Sequence, residues 1–225
     1  MAHTVTIKST EQVTHNVDRL VVERPSGFDF TPGHATDVHI DKPGWRDEDR
    51  PFTFTGLTGD PDLEFTIKIY PSHDGVTEQI DRLHAGDAIV INEPWGTIDY
   101  KGAGTFIAAG AGVTPFIAIL RSLGEKGEID GNRLIFSNKS EKDIILKDEW
   151  DAMDGLQTLY TVTDQPESPH ALGRVDRTFL SHHVDDFDQY FYICGPEAFV
   201  GDVKDALLAL GARKDKIVFE DGMDG

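Results

Sequence analysis

The chain is short of cysteine, of basic residues and of long apolar runs. Its single cysteine, Cys194, stands in 225 residues. One thiol excludes an internal disulfide, a four-cysteine zinc site and an iron–sulfur cluster held by this chain. The nine histidines are scattered, and the adjacent pair His182–His183 lacks the spacing that sets two ligands on one helix face. No metal site is expected. Lys and Arg number 21 against 40 Asp and Glu, a net charge of −19. That balance argues against nucleic acid, whose phosphates call for a basic face, and disfavours anionic membrane surfaces. It fits either solubility and salt adaptation or docking to a basic partner. No segment reaches the roughly 20 apolar residues needed to span a bilayer, so no membrane insertion is expected. The most apolar window, 105–120, is broken by Gly110, Gly112 and Pro115. The first ten residues lack the basic stretch and apolar run of a secretion leader, and the expected location is the cytoplasm.

What is present falls into two halves with different periodicity. Up to Lys101 the pattern alternates. Leu63, Phe65, Ile67 and Ile69 interleave with Glu64, Thr66, Lys68 and Tyr70, the period of a half-buried strand. Five more short strands are expected at 4–8, 17–23, 35–40, 52–57 and 88–92, with one helix at 76–83. Six short strands with Gly, Pro and Asp turns between them imply a small antiparallel six-stranded β-barrel. From Gly102 onward, strand-like segments at 105–109, 133–136, 158–162, 190–193 and 217–219 alternate with helix-like ones at 115–123, 142–153, 177–184 and 197–210. Phe199, Val203, Ala206, Leu207 and Leu210 form a helical stripe in the last of these. Such alternation implies an α/β doubly wound parallel sheet. The expected domains are therefore 1–101 and 102–225.

Four constellations carry chemistry. Gly110-Ala111-Gly112-Val113-Thr114-Pro115 follows a strand and opens a helix. Glycines let backbone approach a pyrophosphate, and a helix N-terminus supplies free N–H groups and the positive end of the dipole. Pro115 suits the first turn, where a missing N–H costs nothing. A plain packing turn is the competing explanation, and the place after the first parallel strand favours the dinucleotide one. Arg50-Pro51-Phe52-Thr53 sits on a barrel strand. It offers a guanidinium for phosphate, a flat ring for a tricyclic partner and a hydroxyl, although an ordinary strand with an exposed arginine has the same composition. Asp74-Gly75-Val76-Thr77 opens the helix of the first half, either a second anion site or a simple capped helix. Cys194-Gly195-Pro196 ends a parallel strand, where ligands of open α/β sheets sit, and where a buried cysteine and a turn are equally at home.

Taken in order, the arginine–x–aromatic–Thr motif, the barrel helix, the Gly-x-Gly-x-x-Pro turn and the Cys-Gly-Pro resemble the ferredoxin–NADP reductase superfamily over about residues 5–220. The resemblance implies that the barrel holds FAD. Arg50 would bind its pyrophosphate, with Pro51 beside it. Phe52, where the family usually has tyrosine, would pack on the flavin, and Thr53 would hydrogen-bond flavin N5. Lys68, Ile69 and Tyr70 would line the ribityl chain and ring edge, and Gly75, Val76 and Thr77 would close on the phosphates. The second domain would bind NADH or NADPH. Gly110, Gly112, Val113, Thr114 and Pro115 would cradle its pyrophosphate, and Cys194, Gly195 and Pro196 would shape the nicotinamide pocket. Thr53 and Cys194 are implied as catalytic positioning groups. Glu220, at the end of the last strand, is a weaker carboxylate candidate near the flavin.

The stretch 136–144 and the run Tyr160-Thr161-Val162-Thr163-Asp164 are similar to cytochrome b5 reductase, a branch that uses NADH. Asp164 would then disfavour a 2′-phosphate, whereas Ser137, Lys139 and Lys142 would attract one; the balance leans to NADH. The implied activity is FAD-dependent NAD(P)H reduction of a separate acceptor protein such as ferredoxin, flavodoxin or a cytochrome. A flavin reductase acting on diffusible flavin and a non-catalytic electron-transfer or regulatory subunit are the alternatives. The polar tail after Phe219 offers no aromatic to cover the flavin and reads as a mobile terminus.

Overall fold

A computed structural model of the protein describes residues 1–70, 75–96 and 98–220. They form two compact units. One comprises Met1–Asp99 with Thr114–Ser122, and the other Tyr100–Val113 with the chain from Leu123.

The first unit is built on strands β1 (His3–Thr14), β2 (Val17–Glu23), β3 (His34–Ile40), β4 (Asp49–Thr53), β5 (Asp62–Lys68), β6 (Ala88–Ile91) and β7 (Trp95–Gly96). All their pairings are antiparallel, in the order β4-β3-β6-β1-β2-β5, with β7 added beside β3. The two ends of that path meet. Phe54 bridges Phe65, and the Thr55 amide donates to the Glu64 carbonyl at 2.8 Å. This contact closes the sheet into a barrel, with a sparse seam between β4 and β5.

Alternation along the strands fills the interior with Val5, Ile7, Leu20, Val22, Val38, Ile40, Leu63, Phe65, Ile67, Ile89 and Ile91. Phe54 sits among three rings, stacked on Phe30 at 4.5 Å, with Phe65 at 5.1 Å and Phe28 at 5.8 Å. The sheet has seven strands where six were expected, β7 being the addition, and three boundaries differ: β1 runs on to Thr14, six residues past its expected end. β4 begins at Asp49 and ends at Thr53, three or four residues earlier than the alternation suggests. The helix α1 is a short Val76–Ile80, pinned at both ends by the buried Val76 and Ile80.

The second unit is a five-stranded, wholly parallel sheet of β8 (Gly104–Ala109), β9 (Arg133–Asn138), β10 (Gln157–Val162), β11 (Tyr190–Cys194) and β12 (Ile217–Phe219), in the order β10-β9-β8-β11-β12. Its strands read as near-continuous apolar runs because both faces are covered. Helices α4 (Arg177–His183) and α5 (Glu197–Ala209) bury Phe179, Leu180, Val203 and Leu207 against Ile107, Ile135, Phe191 and Ile193.

The expected helix 142–153 is interrupted. A 3-10 turn at Glu141–Asp143 is followed by α3 (Lys147–Ala152). Between them Ile144 and Ile145 are both buried, and Leu146 takes a left-handed φ of 56°. Of helix α2 (Thr114–Glu125), Thr114–Ser122 belongs to the first unit and the last turn to the second.

Candidate functional site

The strand order of the second unit places its reversal between β8 and β11. The first strand of the sheet neighbours both the second and the fourth, and ligands of such sheets bind outside the carboxyl ends at that point. The two glycine motifs occupy those two ends. After β8 the chain turns through a 3-10 helix, Gly110–Val113. Gly110 adopts φ +54°, a conformation that side-chain-bearing residues resist. A Cβ on Gly112 would lie 2.3 Å from the Cys194 carbonyl oxygen and 2.6 Å from the Gly195 nitrogen, so only glycine lets the turn and the end of β11 come together. Thr114 and Pro115 then open α2, and Gly195-Pro196 opens α5. The carboxyl ends of β8 and β11 thus gather Gly110, Gly112, Val113, Cys194, Gly195 and Pro196.

Cys194 is buried. Burial pushes its thiol up to about 12, with a smaller upward contribution from the charge of Glu220 and an opposing one from the Gly195 amide. The thiol is held protonated, which suits a shape-defining group and not a nucleophile. Burial also raises the Glu220 carboxyl above its ordinary range, and the influence of its charge on Cys194 puts the two side chains in one neighbourhood.

The stretches flagged for nucleotide choice come together at the ends of β9 and β10. Val162 pairs with Asn138. The Thr163 amide donates to the Asn138 carbonyl at 3.1 Å, and the Asp164 amide to the Lys139 carbonyl at 2.8 Å. Asp164 is exposed and accepts from the Thr163 hydroxyl at 2.9 Å. Ser140 and Asp143 form a capping box that holds the intervening turn. Lys139 and Lys142 are exposed, and Ser137 is buried. Asn138, a residue the motif comparison passed over, is buried with no partner for either amide atom among the described residues. In parallel register it falls one step beyond the Ala109–Ser137 pair, beside Gly110.

In the first unit, Arg50, Pro51, Phe52 and Thr53 lie on β4, paired with Val38, Asp37, Thr36 and Ala35. The Arg50 side chain is 52% exposed and lies 3.8 Å from Glu48, with one guanidinium nitrogen on the Asp49 carbonyl. Phe52 is partly buried against the barrel core. Thr53 stands one residue before the closing bridge, on the side from which β5 runs on to Lys68, Ile69 and Tyr70. Ile69 is buried, and Tyr70 is 47% exposed, the one aromatic among the large exposed apolar side chains of the described residues. Gly75 precedes α1 in an extended conformation with no side-chain cap, followed by the buried Val76 and the partly exposed Thr77. Asp74 lies outside the described residues. A guanidinium, an exposed ring and hydroxyls make a donor set suited to a flavin nucleotide, and the glycine-built edge suits a pyrophosphate. Among the described residues no cluster of three His, Cys, Asp or Glu could hold a metal ion, and no helix is long and apolar enough to cross a membrane.

Comparison with known proteins agrees with both halves. Residues 4–100 match the oxidoreductase FAD-binding domain, and residues 106–205 match the oxidoreductase NAD-binding domain. The chain is 28% identical over 217 residues to the reductase component of propane 2-monooxygenase of Rhodococcus jostii (strain RHA1), covering 90% of this chain and 58% of that one. It is 25% identical over 237 residues to NADH-cytochrome b5 reductase 1 of Pyricularia oryzae (strain 70-15), covering 94% and 75%. The chain therefore spans less than two thirds of the oxygenase-linked relative. In fold it superposes on the flavohem-like FAD/NAD-binding domain of nitric oxide dioxygenase from Vibrio cholerae O1 biovar El Tor, with a TM-score of 0.86 at 22% identity over 96% of this chain and 97% of that one. Together the two matches span most of the chain and make it a two-domain oxidoreductase, an FAD-binding domain followed by an NAD-binding domain.

Proposed function

We propose that the protein is an FAD-dependent NAD(P)H reductase that delivers electrons to a separate acceptor protein. The observation that carries this is the close approach of Gly112 to the Cys194 backbone at the sheet reversal, in a chain that also carries the FAD-binding barrel. FAD, bound to the barrel, supplies the acceptor for the hydride that NAD(P)H donates.

The chain's own residues bind and orient. Gly110, Gly112, Val113 and Thr114 receive the nicotinamide nucleotide's pyrophosphate at the helix N-terminus, and Pro115, which has no N–H, opens the first helical turn. Cys194, Gly195 and Pro196 give its reactive end a neutral, close-fitting wall, since the protonated thiol adds no charge. Arg50 pairs with the flavin nucleotide's phosphates, Thr53 offers its hydroxyl to the ring nitrogen, and Phe52 and Tyr70 supply aromatic surface. Lys68 and Ile69 line the ribityl chain, and Gly75, Val76 and Thr77 close on the phosphates. Glu220 holds a carboxyl near Cys194.

For the nucleotide we favour NADH. Asp164 stands exposed at the edge where an adenosine ribose is expected, and a carboxylate there repels a 2′-phosphate. The acceptor fits the class of an oxygenase component, a cytochrome or a ferredoxin; the reductase component of propane 2-monooxygenase supports the first of these. A cytoplasmic location accords with a lone free thiol. The domain division follows the motifs, 1–101 for the flavin and 102–225 for the nucleotide.

An anaerobic titration of the purified protein with NADH and with NADPH tests the proposal. Bleaching of a bound flavin's visible absorption by one nucleotide, in preference to the other, is the expected result. A protein that stays colourless after incubation with FAD overturns it. Flavin that is present only when added in excess, and lost on desalting, would favour the diffusible-flavin alternative.

A further inference from the structure

The barrel closes between β4 and β5 through one bridge, Phe54 to Phe65, a sparse join for the seam that separates Thr53 from Lys68, Ile69 and Tyr70. A polar network reinforces it. Thr55 and Thr66 are buried, and Arg121 and Glu64 are each only 16% exposed. Arg121, on the part of α2 that packs in the first unit, donates from one guanidinium nitrogen to the Thr55 carbonyl at 2.8 Å and to Glu64 Oε1 at 2.6 Å. The same carboxylate oxygen accepts from the Thr55 hydroxyl at 2.9 Å. That hydroxyl has then spent its single proton, so at 3.1 Å it accepts from the Thr66 hydroxyl. The proton order is settled: Thr66 to Thr55, Thr55 to Glu64, and Arg121 to both Glu64 and the backbone.

Such a network is weak evidence for added stability, because an ion pair removed from water recovers little more than its desolvation cost. What it supplies is geometry. Each member accepts one arrangement of β4 against β5, and the carbonyl that Arg121 grips lies two residues beyond Thr53.

We propose that Arg121 is a positioning residue for the flavin, fixing the strand end that presents Thr53 against the strand end that presents Lys68, Ile69 and Tyr70. This rests on the flavin assignment proposed above. The helix that delivers Arg121 is also the one opened by Thr114 and Pro115.

The test uses apoprotein titrated with FAD, read by flavin fluorescence, alongside thermal unfolding. Arg121→Leu should weaken FAD binding about tenfold or more, the scale of one lost charge-assisted hydrogen bond. Arg121→Lys keeps the charge on Glu64 but loses the planar fork, and should fall between. Arg121→Leu also leaves the Glu64 carboxylate with Arg19, 3.9 Å away, as its remaining cation and lowers the thermal midpoint, so the paired variant E64Q/R121L separates the two effects. It should recover the midpoint while leaving FAD binding weak. FAD affinity within twofold of wild type in E64Q/R121L would reduce Arg121 to a structural group. Failure of the wild-type apoprotein to take up FAD would instead remove the flavin assignment, and this inference with it.

Discussion

Gly112 meets the carbonyl of Cys194 at a distance that leaves no room for a single methyl group. The contact joins the two loops at the sheet reversal. It makes glycine at this place a requirement of the backbone, independent of any ligand.

Gly112→Ala is therefore expected to push the turn away from β11. The neighbours of the added Cβ are all backbone atoms, which cannot swing aside. NADH binding, followed by titration calorimetry with NAD⁺ or by flavin reduction, should weaken by at least about tenfold, with a lower thermal midpoint. Unchanged affinity would mean that the turn does not bear the pyrophosphate.

Arg50→Ala should release FAD and leave the second unit folded. The side chain is exposed, and among the described residues its ion-pair partner is Glu48, 3.8 Å away, so its loss has little cost in the ligand-free fold. Flavin content after desalting is the measurement. Full retention would show that the arginine is an ordinary surface residue.

Tyr192→Phe should destabilise the second unit by about 1–3 kcal/mol. The hydroxyl accepts from the amides of Lys101 and Gly102 at 2.8 and 3.0 Å and donates to the Gly102 carbonyl at 2.7 Å. Without it, three hydrogen bonds to the backbone at the entry to β8 are lost. Denaturant unfolding of wild type and variant checks this.

Glu220 predicts a pH dependence. Its carboxyl is raised by burial, so the folded state holds the proton more tightly than the unfolded chain. Its contribution to stability is complete below the unfolded value of 4.5 and is lost as pH rises through the higher folded value. Glu220→Gln should match wild type in acid and unfold later than wild type at neutral pH. The same substitution removes the charge that helps hold the Cys194 thiol up, so the thiol should titrate slightly lower in the variant.

Much of this was legible in the residues themselves. The alternation from Leu63 onward and the strand–helix alternation after Gly104 are local patterns, and a local pattern survives folding intact. Gly110 and Gly112 were readable because each answers a backbone demand that other residues cannot meet.

Four features were hidden, each for a physical reason. Asp49-Arg50-Pro51 looks unlike a strand, yet β4 ends the strand path, where proline is tolerated. Trp95–Gly96 is too short to show any period. The break between Ile145 and α3 is set by Leu146 in a left-handed conformation, which no periodicity announces, and the Trp150 indole donating to the Ile145 carbonyl at 2.8 Å holds it. Arg121 and Glu64 lie 57 residues apart, and no spacing rule links an exposed-looking helix arginine to a strand glutamate across a barrel seam.

The state of Cys194 has a consequence for how the protein ages in use. Oxidation of cysteine begins at an accessible thiolate, and here the only thiol of the chain is enclosed and protonated. A reductase that spills electrons onto dioxygen would generate peroxide beside its own flavin. Such peroxide would meet no reactive sulfur at Cys194, so endurance under turnover should be limited by methionine oxidation or unfolding before any loss there.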